Sequence, residues 1–357
     1  MKLVLCVAIS LVVCLSAEAA QYELFEIKGK VGLKDESGKI VLPASFERLG
    51  WSDGSFSVIG QTTGYKLNNQ WGLVNLNTEF ITKPIYETLE NSGGYLLVAR
   101  KKVNAIEYKN GCIDLHSEVA VPFIYDGIKI VGLAAIVFKK NAAHFNYGLI
   151  SLKNEVIIPL NYAYIFALGS SRFGVENSSG QVSIFSDQGK AITPFSLDSI
   201  SNYQHGFAIF YQGFRQGLLN TNGDIVIESV YKKIEISTDG LLLGQLPSQC
   251  NIISGDNQVL NKIEADGLTN SYRNLYKIKR GNVVGLLDEQ LNPVLTPQYE
   301  ILQEIGNNHF IAKKKRYGII RVDNSIVLPL AFDSLLVDGE LVRAKEKAIT
   351  KTIAAKS

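Results

Sequence analysis

The 357-residue sequence is poor in sulfur-containing and indole side chains, with four Cys, one Met and two Trp. Cys6 and Cys14 lie in the first twenty residues, so Cys112 and Cys250 are the pair left in the rest of the chain. A single pair excludes a dense disulfide framework. It could form one disulfide in an exported protein. The repeat described below, however, separates the two residues by four units, and we therefore expect free, buried thiols.

An excess of charge of one sign is also lacking. Lys and Arg number 36 against 34 Asp and Glu, for a formal net charge of +2. A dedicated nucleic-acid-binding protein usually carries a strong basic excess, so we expect no nucleic-acid partner. The long Ala, Leu, Glu and Lys patterns of helices are missing as well, whereas Gly, Tyr, Phe, Ile and Val are abundant. This composition predicts an all-β protein.

One long apolar run of about 13 residues lies within the opening MKLVLCVAISLVVCLSAEAA and is short for a membrane span. A basic residue precedes the run, and an A-x-A pattern ending at Ala19 follows it, which is the layout of a secretory signal peptide. Lipidation at Cys14 is a weaker alternative, because Val13 fits poorly before a lipidated cysteine. We predict a signal peptide over residues 1–19, a secreted or periplasmic location, and no membrane-spanning segment afterwards.

The remaining chain is an internal repeat. Nine anchor positions recur at spacings that fall from 40 to 33 residues, and seven of the nine are Gly. Fixed offsets from the anchor keep one chemistry: +1 is Leu, Ile or Cys and +17 is Leu or Ile in all nine copies, while +14 is aromatic and +15 acidic in seven. The anchors are Gly32, Gly72, Gly111, Gly148, Ser183, Gly217, Asn251, Gly285 and Gly318.

Each repeat of about 36 residues is interpreted as four short strands. The first precedes the anchor, the second starts beside it, the third ends in Pro in most copies, and a short fourth strand carries the +17 aliphatic residue. Polar turns rich in Asn, Gly, Ser and Asp join the second strand to the third. We predict a single repeat domain of nine units over residues 20–345. The tail over residues 346–357 is expected to be frayed helix or disordered.

The offsets also indicate how the units hold together. The +1, +9 and +17 side chains are expected to form a core stacked between neighbouring units, and each contributes ~1.5–3 kcal/mol on full burial. The +15 acid is expected to accept hydrogen bonds from backbone amides at the corner between the third and fourth strands. Because the anchor Gly has no side chain, the ring beside it, such as Trp71 beside Gly72, is expected to cover the backbone.

The motifs resemble those of the WG-repeat family of bacterial proteins. They are WG at 71–72, YG at 147–148 and 317–318, the GLV or GLI that follows, strand ends VIIP or IVLP, and the next Y-E, Y-D or F-D pair. The resemblance covers about residues 21–345. It implies a repeat scaffold and no shared set of catalytic residues. By this resemblance the chain would be a divergent member, since one copy alone keeps Trp.

Two architectures can stack such units. In a β-propeller, four-stranded blades close into a ring, and in an open β-solenoid the units spiral and end in caps. The strand ELVRAKE is left over after the ninth unit and could close a ring against YELFEIK or cap an open end. We predict a β-propeller-like fold, with the open solenoid as the alternative.

No constellation of residues predicts catalysis. The four His fall in different units at no metal-ligand spacing. The sequence has no nucleophile elbow, phosphate-binding loop or dinucleotide fingerprint. The +15 acids recur in seven units, whereas a catalytic pair needs two carboxylates, so their recurrence favours a structural role. We therefore predict no catalytic residue, no cofactor and no metal site.

A basic feature recurs in the turn between the first and second strands. Equivalent turns of a repeat protein fall on one edge of the stack, so this edge is predicted to be a basic rim that attracts anionic glycans or lipid headgroups. The +15 acids lie at the same end and could neutralise it, and charged hairpin tips also protect strand edges. The rim residues are Arg100, Lys101, Lys102, Lys139, Lys140, Lys279, Arg280, Lys313, Lys314, Lys315 and Arg316.

The leading functional hypothesis is an exported, monomeric, non-enzymatic repeat protein that binds a protein or an envelope glycan on this rim. A propeller-type polysaccharide hydrolase or lyase is an alternative. It would need carboxylates, or a His with a carboxylate, that break the repeat and converge at one site. A structural spacer in the envelope is the third hypothesis.

Overall fold

The computed structural model consists of β-strands, with no helix in the residues that it describes: 22–141, 144–237, 240–271, 275–338, 341–346 and 349–354. The predicted signal peptide lies outside these residues. The chain divides into two compact units, Met1–Asn161 and Tyr162–Ser357. The predicted all-β class is confirmed, whereas the predicted domain boundaries stay a prediction.

In the first unit the strands form three antiparallel sheets in which sequence neighbours pair. The first sheet contains β1 (Glu23–Ile27), β2 (Lys30–Lys34) and β3 (Ile40–Phe46). The second contains β4 (Arg48–Leu49), β5 (Thr62–Leu67), β6 (Gln70–Asn75), β7 (Tyr86–Asn91), β8 (Leu96–Lys102), β9 (Tyr108–Asp114) and β10 (Val119–Tyr125). The third contains β11 (Gly127–Val131), β12 (Ala134–Asn141), β13 (His144–Ser151) and β14 (Val156–Tyr162), which ends at the unit boundary.

The described residues of the second unit form six more sheets with the same up-and-down order. They contain β15 (Tyr164–Gly169), β16 (Arg172–Glu176) and β17 (Val182–Ser186); β18 (Ser199–Ile200), β19 (Phe207–Gln212), β20 (Arg215–Asn220) and β21 (Ile225–Tyr231); β22 (Lys233–Ile236), β23 (Leu242–Leu246), β24 (Gln249–Ile253) and β25 (Val259–Ile263); β26 (Gly267–Asn270), β27 (Tyr276–Arg280), β28 (Val283–Leu287) and β29 (Pro293–Tyr299); β30 (Ile301–Glu304), β31 (His309–Lys314), β32 (Arg316–Arg321) and β33 (Ile326–Phe332); and β34 (Ser334–Asp338), β35 (Leu341–Glu346) and β36 (Ile349–Ala354).

The sheets are out of phase with the sequence repeat by one strand. Strand β11 carries Ile128, the +17 residue of the third repeat, yet it pairs with β12, and β13 holds the next anchor, Gly148. Each four-stranded sheet thus takes its first strand from the preceding repeat, and each repeat links two successive sheets. Four antiparallel strands in up-and-down order are the blade type of propellers, so the predicted propeller-like, four-stranded repeat is confirmed.

The last sheet corrects the interpretation of the C-terminal tail. Residues 349–354, expected to be frayed helix or disordered, form β36, which pairs with β35 over six residues. The segment ITKTIA is rich in β-branched residues, which favour strands. The leftover strand ELVRAKE is β35 and lies between β34 and β36.

The core lies between successive sheets. All nine +1 side chains are buried, and so are seven of the nine at +17. The expectation for +9 is wrong, because these side chains are half-buried or exposed and lie at the core margin. The neighbouring +10 residue faces the core instead, since side chains alternate along a strand. Buried +10 residues include Leu42, Val121, Ile158, Ile227 and Leu295.

The interpretation of Trp71 as a cover over Gly72 is also wrong. Trp71 is 4% exposed and packs with Trp51 and Leu89 in a core cluster of the seven-stranded sheet. Its ring lies on the face opposite Gly72, because neighbouring strand residues point to opposite faces. The ring over Gly72 belongs to Tyr65, its partner on β5. A Cβ at Gly72 would lie 2.7 Å from that ring. At Gly32, Gly72 and Gly217 the anchor Gly makes room for a ring from the preceding strand, those of Phe25, Tyr65 and Phe210.

In the seventh repeat the anchor is Asn251, and a glycine lies on the partner strand instead. Asn251 pairs with Gly244 on β23, and the ring of Tyr231 lies over Gly244, where a Cβ would come within 2.5 Å of it. The Asn251 side-chain amide donates to the Tyr231 hydroxyl at 2.9 Å and accepts from Gln249 at 2.7 Å. The buried Asn is therefore fully engaged, and the space for the ring is kept.

Two of the +14 tyrosines tie their sheet to a turn of the next one. The hydroxyl of Tyr125 donates to Asn154 Oδ1 at 2.8 Å, and that of Tyr299 donates to Asn324 Oδ1 at 2.5 Å. Both Asn residues have positive φ in the turn that follows the anchor strand, a conformation that Asn tolerates better than most residues. This accounts for a tyrosine at these two +14 positions.

Candidate functional site: the basic hairpin tips

The predicted rim residues lie at four hairpin tips, which join β8 to β9, β12 to β13, β27 to β28 and β31 to β32. Two tips belong to the first unit, and we call their residues the first-unit rim: Arg100, Lys101, Lys102, Lys139 and Lys140. The other two belong to the second unit and form the second-unit rim: Lys279, Arg280, Lys313, Lys314, Lys315 and Arg316.

A carboxylate joins the two tips of the first-unit rim. Asp126 Oδ1 accepts a hydrogen bond from Lys109 Nζ at 2.7 Å, and its Oδ2 accepts the backbone N–H of Lys140 at 2.7 Å. Because Lys109 lies on β9 and Lys140 on β12, the two hairpins are held at the same end of their sheets. Burial raises the pKa of Asp126, but the hydrogen bonds from Lys109 and Lys140 outweigh it and the net shift is downward. Asp126 is therefore a stable anion.

Aromatic rings position three of the first-unit cations. Lys101 Nζ lies 4.1 Å from the ring centroid of Phe123, and Lys139 Nζ lies 5.4 Å from that of Tyr125. The Arg100 guanidinium is 5.5 Å from the ring of Tyr108 and 3.2 Å from a Glu87 carboxylate oxygen. These contacts hold long side chains in defined positions while their charged ends stay near solvent.

The first-unit rim keeps a surplus of positive charge. Six cations, counting Lys109, face the three carboxylates of Glu87, Glu107 and Asp126. Among the described residues, no carboxylate lies within ion-pairing distance of the Lys102 or Lys140 ammonium groups. The +15 acids therefore neutralise some cations of the rim, as predicted, and leave others without a carboxylate partner.

In the second-unit rim, carboxylates and an aromatic ring again hold some cations in place, while others have no carboxylate partner. Lys313 Nζ pairs with Glu300 at 2.8 Å, and the other oxygen of Glu300 accepts the backbone N–H of Lys315 at 2.8 Å. The bond from Lys313 and the Lys315 amide lower the pKa of Glu300. Arg316 donates to the Ala331 carbonyl oxygen at 2.8 Å, while Lys314 lies 4.9 Å from the ring of Tyr299. In the described residues, no carboxylate pairs with Lys279 or the Lys315 side chain.

The +15 acids form the type of hydrogen bond that was expected, but at a different location. These acids do accept backbone N–H groups, but at the hairpin tip of the next sheet rather than at their own corner. Glu47 accepts from Asn68 and Asn69, 21 and 22 residues further along the chain. Asp198 and Asp266 each accept from a tip residue 15 residues on, Gly213 and Gly281. The acid thus fixes the shape of the hairpin tip, and at the tip of Gly281 this is a tip of the second-unit rim.

A cleft of about 700 Å³ in the first unit was not predicted from the sequence. It lies between polar turns, and its lining includes Tyr22, Asp35, Lys39, Gln61 and Asn77. Asp35 is engaged in its own turn, where it accepts the N–H groups of Ser37 at 2.9 Å and Lys39 at 3.1 Å. No group of three or more His, Cys, Asp or Glu in the described part of the chain could hold a metal ion.

The two cysteines outside the predicted signal peptide are free and buried. Burial raises the pKa of Cys112 to about 12 and raises that of Cys250. Reactive cysteines need thiolate character and access. We therefore expect the chain from residue 20 onwards to release almost no thionitrobenzoate from Ellman's reagent when folded, and two equivalents in denaturant. Rapid modification of the native protein would contradict this burial.

Among the described residues, no helix has the length and apolar character needed to cross a membrane.

Comparisons with known proteins connect the repeat to a family. A model of the WG-containing repeat matches residues 147–177 and 217–243. No curated protein matches the sequence. Similar solved structures include a eukaryotic initiation factor (12% identity, 88% of this chain and 96% of that chain, TM-score 0.38), AztD from Citrobacter koseri (8%, 74% and 90%, 0.32) and the C-terminal WD40 domain of Sif2 (10%, 87% and 95%, 0.31). Over these two stretches, the family match confirms the resemblance seen in the sequence to the WG-containing repeat.

Proposed function

We propose that this chain is an exported, non-enzymatic binding module whose basic hairpin tips contact an anionic partner, either a protein or an envelope glycan. The observation that carries the proposal is which partners the tip cations have. Acids and aromatic rings hold several of them in place, while Lys102, Lys140, Lys279 and Lys315 have no carboxylate partner in the described residues. Such an edge presents ordered positive charge to a partner.

The state of the nearby carboxylates supports a non-enzymatic role. A general acid that works near neutral pH needs a raised pKa. The pKa values of Asp126 and Glu300 are instead lowered, and both side chains are occupied by ammonium and backbone N–H groups. These carboxylates therefore serve as anionic braces for the tips. Export rests on the signal peptide predicted over residues 1–19.

The salt dependence of binding tests this function. The chain from residue 20 onwards, immobilised on beads, is expected to retain dextran sulfate and components of an envelope extract at low salt. It should release them as salt rises, because screening weakens contacts between exposed charges. The variant Lys102→Gln/Lys140→Gln is expected to weaken retention about tenfold, a change of 1.4 kcal/mol.

A matched variant controls for net charge. Lys39→Gln/Lys153→Gln removes the same two charges from the first unit, but both residues are exposed in turns at the other end of the hairpins. It should retain dextran sulfate as the unmodified chain does. Retention that ignores salt, or that falls equally in both variants, would contradict binding through the tips.

A further inference from the structure

Apolar side chains project from hairpin tips in both units, and one of these tips also carries cations of the first-unit rim. Ile106, at the tip between β8 and β9, is 87% exposed, and Val103 beside it is 42% exposed. In the second unit, Phe214 occupies the corresponding tip between β19 and β20 and is fully exposed. Large apolar side chains exposed to this degree at hairpin tips would gain nothing from a partner surface that is entirely polar.

Hydrogen bonds hold the tip that presents Ile106. Asn104 Oδ1 accepts the N–H groups of Ile106 at 3.1 Å and Glu107 at 2.9 Å. The Val103 N–H donates to the Glu107 carbonyl oxygen at 2.9 Å and closes the turn. Ile106 is therefore fixed at the apex and is not turned back onto the sheet. The tip of Phe214 is braced similarly, since the N–H of the preceding Gly213 donates to Asp198.

The cations of the first-unit rim surround this apex. Arg100, Lys101 and Lys102 lead into the tip on β8, and Lys139 and Lys140 end the neighbouring hairpin strand β12, which Asp126 holds at the same end. Basic side chains around a protruding apolar residue match the two layers of an anionic bilayer surface, which are phosphate headgroups and the acyl boundary beneath them. A polysaccharide offers the charge but no apolar layer for Ile106.

We propose that the first-unit rim docks onto a lipid bilayer surface with anionic headgroups. Ile106 enters the boundary between headgroups and acyl chains, and the Lys102 and Lys140 ammonium groups contact lipid phosphates. This inference rests on the proposed binding through the basic tips, and it adds a lipid surface to the anionic partners named there. Lys101 and Lys139 stay on their aromatic rings and add to the positive field.

Sedimentation with vesicles tests the docking. The chain from residue 20 onwards is incubated with vesicles of phosphatidylcholine, with or without phosphatidylglycerol. We expect binding to the phosphatidylglycerol vesicles alone, and a partition coefficient about tenfold lower for Ile106→Ser, because the apolar contact is lost. Lys102→Gln/Lys140→Gln is expected to show a similar loss that high salt reproduces in the unmodified chain.

The control is a second exposed aliphatic residue of the same unit. Leu133 is 90% exposed in the turn between β11 and β12, at the other end of β12 from Lys139 and Lys140. Leu133→Ser should bind vesicles as the unmodified chain does, and tryptophan fluorescence verifies that each variant is folded. Equal binding by Ile106→Ser and the unmodified chain would overturn bilayer docking. If the unmodified chain retains dextran sulfate but binds no vesicles, bilayer docking is overturned and the proposed function stands. If the unmodified chain does neither, bilayer docking and the proposed function are both overturned.

Discussion

Replacement of Leu89 by Ala is expected to lower the free energy of unfolding of the first unit by about 2–5 kcal/mol, the range for emptying a well-packed core site. Leu89 is the +17 residue of the second repeat, is 0% exposed, and packs in one cluster with Trp51, Trp71 and Ile113. It lies on β7, the strand that connects β6 to β8 in the seven-stranded sheet. Neighbours on both sides therefore lose contacts when its side chain is shortened.

Urea unfolding followed by tryptophan fluorescence measures this change. The chain has two Trp residues, and both lie in the Leu89 cluster, so the signal reports on the first unit. Leu133→Ala is the matched control, since this side chain is 90% exposed, and surface changes usually stay within about 0.5 kcal/mol. Unfolding midpoints that coincide for the two variants would show that +17 is not a core position.

Gly285→Ala is expected to destabilise the second unit by about 1–3 kcal/mol or more, as overpacking does. A Cβ at this anchor would lie 2.3 Å from the Leu295 carbonyl oxygen and 2.6 Å from the Pro297 nitrogen. Both are backbone atoms of β29, which pairs with β28. A flexible side chain could move aside, but the backbone of a paired strand must shift as a whole. The register between β28 and β29 should therefore loosen.

Amide hydrogen exchange suits this variant, because both Trp residues lie in the first unit and fluorescence does not report on the second. Exchange should accelerate over β28 and β29. Gly267→Ala in the same sheet is the control, since its nearest neighbour would be Lys279 Cβ at an ordinary 3.7 Å. Alanine there should be neutral, or stabilise by about 0.4–1 kcal/mol through the unfolded chain. Equal exchange in the two variants would mean that the anchor Gly is not required for packing.

Much of the core could be predicted because burial recurs at fixed offsets. Leu73 and Leu89 were assigned to the core as +1 and +17 residues, and both are buried. The third strand was assigned the wrong phase because it is apolar at two consecutive positions, Val41 and Leu42 in the first repeat. In a strand such neighbours face opposite sides, and sequence cannot say which side is covered. The structure shows that Leu42 is buried and Val41 half-buried.

The candidate site was predictable as a set of cations at equivalent turns, and the structure places them at hairpin tips. Their partners were predicted less well. The pairs Lys313–Glu300 and Arg100–Glu87 join residues 13 apart in sequence, and they depend on the register between paired strands, β30 with β31 and β7 with β8. Ile106 gave no signal in the sequence, because its exposure follows from the hydrogen-bonded turn that Asn104 stabilises.

The sequence by itself determined the strand content, the repeat and the chemistry of the turns. These depend on local patterns such as alternation along a strand and turn-forming residues, which each copy repeats. The tertiary structure alone decided which strand completes which sheet, which atoms crowd each anchor Gly and which amides the +15 acids bind. Those contacts join separate strands, as with Tyr65 over Gly72 and Asp126 at the Lys140 amide, and so they exist only once strand pairing has set the register.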